Sequence, residues 1–184
     1  MKNLPINIIL AMDEENGIGK NGGIPWNIPS DLKYFKKVTT WTIKGKKNVV
    51  IMWRKTRESL NKKPLPWRIN CILSNSLQSN SYDYTDTYLF NSLHKCLHRI
   101  RKEKKCIHQI FIIGGAGLYN STIEKYKNIQ TIYLTRIKGK HDCDTIVHKL
   151  TPQKLQNSFQ LVWLKRKQEN NKKMIYYKYK KNIK

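Results

Sequence analysis

Apolar residues enter this chain as short runs parted by turn-rich stretches. The run 6–12, Ile-Asn-Ile-Ile-Leu-Ala-Met, has the length and content of a fully buried strand. Similar runs at 48–52, 69–73, 110–113 and 131–137 predict further strands, and Leu89 and Phe90 a brief one. Between them the spacing changes to that of helices. Ser30 is placed to cap a helix over 31–38 with Leu32 and Phe35 on one face. Residues 55–60 form a short helix stopped before Pro64 and Pro66. Asn91 or Ser92 caps a helix with Leu93, Leu97 and Ile100 at helical spacing, and another helix starts just past Gly114 and Gly115. Runs at 159–165 and 174–179 flank a polar turn, as an antiparallel pair does. Strands alternating with helices predict an α/β fold, mostly parallel, with a hairpin at its C-terminal edge.

Composition narrows the class. The chain has 184 residues, 39% hydrophobic and 26% charged, enough for one domain with a core of its own. No stretch approaches the roughly 18–20 apolar residues that span a bilayer. The apolar start is interrupted by Pro5 and Asn7 and followed by Asp13, Glu14 and Glu15, which argues against a secretory signal. Cys71, Cys96, Cys106 and Cys143 form no C-x-x-C pair and read as reduced thiols of a cytoplasmic protein. His94 and His98 share a helix face, but no third ligand is near, so no metal site is expected.

Lys and Arg number 36 against 12 Asp and Glu, a formal net charge of +24. That excess attracts phosphate-bearing partners, nucleic acid among them. The cations are spread along the chain, and Asn and Ile are abundant too, so drift toward lysine codons in an AT-rich genome is the preferred account.

Three constellations carry chemistry. Residues 16–32 join a glycine-rich loop to Trp26, a rigid wall, and to Asp31 in the first turn of an otherwise apolar helix. A lone carboxylate among apolar neighbours holds its proton more tightly, which makes Asp31 a candidate proton-handling group. Residues 112–119 carry a strand into glycines and then a helix, which presents backbone N–H groups to anions. Residues 49–56 open a strand into a helix with a basic start, a natural phosphate seat.

In this order and spacing the motifs resemble dihydrofolate reductase. The pieces are Gly-Ile-Gly-Lys-Asn-Gly-Gly-Ile-Pro-Trp at 17–26, Asp-Leu-Lys-Tyr-Phe-Lys at 31–36 and Asn-Val-Val-Ile-Met-x-Arg-Lys-Thr-x-Glu-Ser at 48–59. Pro-Leu-Pro-x-Arg-Ile-Asn at 64–70, Ile-Gly-Gly-Ala-x-Leu-Tyr at 113–119, Leu-Thr-Arg-Ile at 134–137 and Asp-Cys-Asp-Thr at 142–145 complete the set. The resemblance implies one dihydrofolate-reductase-like domain over 1–184. Its central sheet would be mixed but mostly parallel, of about eight strands, flanked by helices. It also implies NADPH-dependent reduction of 7,8-dihydrofolate to tetrahydrofolate, by hydride transfer to C6 and protonation at N5, in a monomer.

The same resemblance assigns residues. Asp31 would hold the pterin 2-amino group and N3 and favour protonation at N5 through water, supported by Thr135, with Trp26 and Ile24 completing the catalytic set. Ile9, Leu32, Phe35, Leu60 and Ile113 would contact substrate, and Arg68 would clamp its glutamate carboxylate. On the cofactor side stand Ala11, then Ile18, Gly19, Lys20 and Gly22 in a loop closing over the nicotinamide. Arg54, Lys55 and Thr56 would meet the phosphates, Arg54 toward the 2′-phosphate, and Ser74 and Asn75, with Ser76, would lie at the adenosine end. Gly114 and Gly115 would be joined by a cis peptide. The backbone of Gly115, Ala116, Gly117, Leu118 and Tyr119 would face the pyrophosphate.

The chain departs from the family pattern at four places. Trp53 and Trp67 stand at family glycines, Arg57 at a usual Trp, and Asn75 at a common basic partner of the 2′-phosphate. Trp53 and Arg57 are four residues apart, so the indole at 53 is expected to fill space left by the one missing at 57. An alternative is a catalytically impaired relative kept for binding, for instance to nucleic acid. A pyrimidine reductase of riboflavin synthesis is a third reading, opposed by the Pro25-Trp26 and Asp31 arrangement.

Overall fold

The computed structural model describes residues 4–76 and 85–182. The polar loop expected through the seventies lies mostly outside them, as do the chain ends.

Period-two alternation in fully apolar runs builds the centre. On β3 (Lys47–Trp53), Val49 and Ile51 face the larger core cluster while Val50 and Met52 face a second cluster on the opposite side. On β1 (Ile6–Met12), Ile6, Ile8, Leu10 and Met12 face the larger cluster and Ile9 the second. A strand buried on both faces must lie inside a sheet with cover on both sides. The other strands of that sheet are β4 (Arg68–Leu73), β5 (Thr87–Phe90), β6 (Ile107–Ile112), β7 (Ile129–Ile137), β9 (Phe159–Glu169) and β10 (Lys172–Lys181). Their order is β5-β4-β3-β6-β1-β7-β10-β9. Every pair from β5 to β7 is parallel; β10 runs antiparallel to both β7 and β9. The α/β sheet of eight strands with an antiparallel terminal pair is therefore as the sequence predicts.

Boundaries shift for local reasons. Helix α1 (Pro29–Thr40) begins two residues earlier than expected, because Pro29 occupies its first turn. Ser30 is therefore not the cap. It lies inside the first turn, where its N–H donates to Glu169 Oε2 at 3.1 Å. Helix α2 (Arg54–Ser59) follows β3 directly. Ser92 caps α3 (Leu93–Lys102) by accepting from Lys95 N at 3.2 Å. Helix α4 (Ala116–Lys125) starts past the two glycines. The β9–β10 turn is Asn170-Asn171, both at positive φ (48° and 59°), a conformation that asparagine tolerates and two-residue hairpins favour.

Three elements carried no readable pattern. Strands β2 (Gly17–Gly19) and β8 (Thr145–Ile146) form a separate two-stranded sheet, and α5 (Pro152–Ser158) precedes β9. Among the described residues no helix is long and apolar enough to cross a membrane.

Candidate active site

A cavity of about 640 Å³ opens at the carboxyl ends of β1, β3 and β6. This end of a parallel sheet is where α/β folds place their ligands, because loops and helix starts converge there. One side is made by β1 and α1, through Ile9, Ala11, Asp31, Leu32 and Phe35, with Leu60 and Ile113 nearby. The other is made by Arg54, Lys55 and Thr56 at the start of α2, by Gly114, Gly115, Ala116 and Gly117, and by Ser74, Asn75 and Ser76. Ile18, Gly22 and Ile24 cover it from the loop after β1. Residues drawn from every part of the chain thus meet around one space.

Asp31 is the one carboxylate on that wall. Its Oδ1 accepts the Thr135 hydroxyl at 2.7 Å. Burial raises its pKa above the ordinary value, and the Thr135 hydrogen bond acts in the opposite direction. Trp26 is buried beside it and meets His141 edge-on, ring centroids 5.3 Å apart. The expected juxtaposition of an acid, an apolar slot and an aromatic wall is present.

Four residues named from the sequence stand off the cavity wall. Leu118 is buried in the main cluster, because its place on α4 turns its side chain to the sheet. Gly19 pairs with Thr145 in the small sheet. Lys20 is exposed and lies 3.5 Å from Asp142. Arg68 is buried behind Phe35, its guanidinium carbon 5.8 Å from that ring's centroid. Arg68 donates to Thr39 Oγ1 at 2.7 Å and to the Pro66 carbonyl at 3.0 Å, and burial pulls its pKa down to about 10.

The glycine pair is a close-approach site. The Gly114–Gly115 peptide is cis, and a Cβ on Gly114 would meet Thr56 Oγ1 at 3.0 Å. Around Gly117 nothing lies within 4 Å of the Cβ position, so backbone there is open to a ligand. Arg54 pairs with Glu58 at 2.6 Å, one turn along α2. A groove with exposed glycine backbone, a basic helix start and hydroxyls suits a phosphate-bearing nucleotide. Trp53, half-buried, packs against the main cluster and also lines the cavity beside Arg54. The indole is thus at the groove itself and not only a filler beside residue 57.

Sequence reasoning missed Leu10, Tyr34, Ser59 and Thr145 on the wall. Tyr34 could have been found, since it lies one turn beyond Asp31 on α1. It also missed Asp13, which is 1% exposed. Asp13 Oδ1 accepts the N–H groups of Glu15 (2.9 Å) and Gly17 (2.8 Å), and Oδ2 accepts that of His141 (3.0 Å). An Asp just past a strand end, four residues before Gly17, is the available signal. Asp13 ties the covering loop to segment 141–145, and Asp144 Oδ2 adds an acceptor for Asn21 N at 2.7 Å.

Comparison with known proteins agrees with this geometry. A family model described as dihydrofolate reductase matches residues 5–183. A dihydrofolate reductase of Schistosoma mansoni is 37% identical over 154 residues, covering 82% of this chain and 81% of that one. One of Drosophila melanogaster is 37% identical over 145 residues, 77% and 78% of the two chains. A bifunctional dihydrofolate reductase-thymidylate synthase of Arabidopsis thaliana is 36% identical over 145 residues, which cover 76% of this chain and 26% of that longer protein. With its motifs, its eight-stranded sheet and these matches in agreement, the chain belongs to the dihydrofolate reductase family.

Proposed function

We propose that this protein reduces 7,8-dihydrofolate to 5,6,7,8-tetrahydrofolate with NADPH. The observation that carries the reading is Asp31: a carboxylate in an apolar cavity, held by Thr135, facing a groove built for a nucleotide. When bound, the nicotinamide supplies the hydride. The chain positions the rings and manages the proton.

Asp31 offers two acceptor oxygens to the pterin amino group and ring nitrogen, the pairing that a carboxylate makes with an amidine-like edge. Thr135 fixes the orientation of that carboxylate. The Asp31 carboxylate next to the pterin favours the protonated ring nitrogen through water. Phe35 and Ile113 form apolar walls and Ile24 closes the lip, excluding water. Arg68, already oriented by Thr39 and Pro66, is the candidate partner of the glutamate carboxylate.

On the cofactor side, Arg54, Lys55 and Thr56 provide charge and hydroxyl for the phosphates, and the 115–117 backbone offers N–H donors; those of Leu118 and Tyr119 are already given to the Gly115 carbonyl. Preference for NADPH over NADH rests on Arg54, whose pairing with Glu58 holds the guanidinium in place. Asn75 contributes no charge there.

The test is the fall of NADPH absorbance on adding dihydrofolate to the purified chain, with Asp31→Asn as the matched control. Turnover by the parent and its collapse in the variant are expected. No oxidation by the parent would leave the scaffold without the activity.

A further inference from the structure

We propose that the β9–β10 hairpin aims Asp31: Glu169 and Tyr176 are positioning residues that fix the first turn of α1, and through it the Asp31–Thr135 hydrogen bond. The inference rests on the proton-handling role given to Asp31 above.

The start of α1 does not hold itself. Its N-cap is Ile28, and no side-chain cap bond is made there. An uncapped first turn leaves N–H donors in need of acceptors from elsewhere. The Ser30 N–H finds its acceptor on β9, in Glu169 Oε2 at 3.1 Å. A carboxylate in that place also suits the positive end of the helix. Contact with Ser30 is the main cause that holds the Glu169 carboxyl below its usual range, so it stays ionised as an acceptor.

A second tie comes from β10. Tyr176 is 4% exposed and lies in an apolar cluster with Trp26, Ile28, Ile137 and Met174. A phenyl ring would fill that space with no polar atom to satisfy, whereas a buried hydroxyl is costly unless bonded. Tyr176 donates to Met174 Sδ at 3.3 Å, which leaves its oxygen to accept the Ser30 hydroxyl, 3.3 Å away. One turn along α1, the Tyr34 ring packs on Tyr176, centroids 4.7 Å apart, and stacks on Trp163 of β9, centroids 6.2 Å apart and planes 17° from parallel.

These ties flank Asp31. Residues 30 and 34 form one row of α1 and meet the hairpin, while 31 and 35, in the next row, line the cavity. Holding the first row sets the rotation of the helix about its axis, and so the aim of Asp31. The target of that aim belongs to the same construction. Tyr176 is paired with Thr135 in the β10–β7 register, and Thr135 donates to Asp31 Oδ1. Strand β10 thus supports both ends of the bond. The titratable groups around Asp31 are Tyr34 on α1, Tyr176 on β10, Tyr133 on β7 and Tyr119 on α4, all pushed above their ordinary range by burial. Glu169 on β9 has Lys33 and Lys167 for neighbours, and Arg54 and Lys55 line the cavity from α2.

The test follows Asp31 directly in the full chain, with no ligand bound. Isotope-labelled aspartate carboxyls are titrated by NMR, and the Asp31 signal is the one missing from Asp31→Asn. In Tyr176→Phe its midpoint should rise by about half a pH unit, the size of one weakened hydrogen bond. Ser30→Ala and Glu169→Ala should shift it in the same direction. Glu169→Gln keeps an acceptor and removes the charge, and should restore most of the parent value. In a Thr135→Val background Tyr176→Phe should add no further shift, because the bond being aimed is gone. Tyr179→Phe, on the other face of β10 against the main cluster, should leave the midpoint in place. In turnover, the limb of kcat/KM against pH that Asp31 governs should move with the midpoint while the KM for NADPH stays unchanged.

An unmoved midpoint in Tyr176→Phe would overturn the proposal even with a lower Tm, since Tyr176 would then only pack. So would an undiminished shift in the Thr135→Val background, which would indicate a direct field effect. A shift in Glu169→Gln as large as in Glu169→Ala would make Glu169 a charge and not a cap, and would overturn its part. NADPH oxidation absent from the parent, with the midpoint shifting as expected, would strike the reductase reading and leave the positioning intact.

Discussion

The Thr135 hydroxyl on β7 donates to Asp31 Oδ1 on α1 at 2.7 Å, across 104 positions of sequence. This bond stabilises the ionised carboxylate and so opposes the upward pull of burial. Thr135→Val removes it while keeping the shape. The Asp31 pKa should then rise further, and the limb of the kcat/KM–pH profile that Asp31 governs should move to higher pH. A loss of about tenfold in kcat/KM near neutral pH should accompany it, the size expected for a hydrogen bond to a charged group. Steady-state rates across pH read both effects.

Asp31→Asn should separate activity from stability. The folded chain holds the Asp31 proton more tightly than the unfolded chain does. Between the ordinary Asp value and the raised folded value the folded state therefore binds more protons, and stability falls as pH rises through that window. Above the window the parent carries the full cost of a buried charge, which Asn does not. The variant should melt higher than the parent at pH 7, with the gap closing in acid, while kcat falls by about 100-fold or more. Scanning calorimetry at several pH values checks the first outcome and turnover the second.

Trp53→Gly tests the indole at the nucleotide groove. Because Trp53 lines the cavity beside Arg54 and Thr56, its removal opens space there. NADPH affinity should be equal or better, by fluorescence titration. Stability should fall by about 2 kcal/mol in urea, since the indole also packs against the main cluster.

Trp67 is 64% exposed and sits at φ 63°, in the left-handed region that favours glycine. Lys36 Nζ lies 4.5 Å from its ring centroid. Relief of the backbone and loss of the cation–π contact are each about 1 kcal/mol and opposite in sign. Trp67→Gly should change unfolding free energy by under about 1 kcal/mol despite deleting an indole, and substrate KM should not rise.

Gly17→Ala should displace the covering loop. A Cβ at Gly17 would come within 2.5 Å of both Cys143 Cβ and Sγ, closer than any real contact. A raised KM for NADPH and a lower Tm are expected, and a second change, Cys143→Gly, should restore both by removing the obstructing side chain.

What was legible followed the physics of each signal. Buried parallel strands announce themselves because both faces are apolar, and β1 appears with the boundaries its run predicts. Asp31 stood out only through the motifs taken together, since on its own an acid in the first turn of a helix reads as favourable placement at the N-terminus. Arg68 was expected at the substrate's glutamate carboxylate; its burial against Phe35, off the cavity wall, depends on packing that no local pattern encodes. Strands β2 and β8 are three and two residues long, too short for periodicity, and exist only through pairing with each other. The Asp13 cluster was hidden for a similar reason: its acceptors serve N–H groups that lie as far as 128 positions away.

The placement of β1 has a consequence for synthesis. Its two neighbours, β6 and β7, both come from beyond residue 106. A chain emerging from the ribosome therefore holds β1 without both of its neighbours until Ile137 has been made. Ligands cannot rescue such a fragment, because the pocket does not yet exist; they act only on the finished chain.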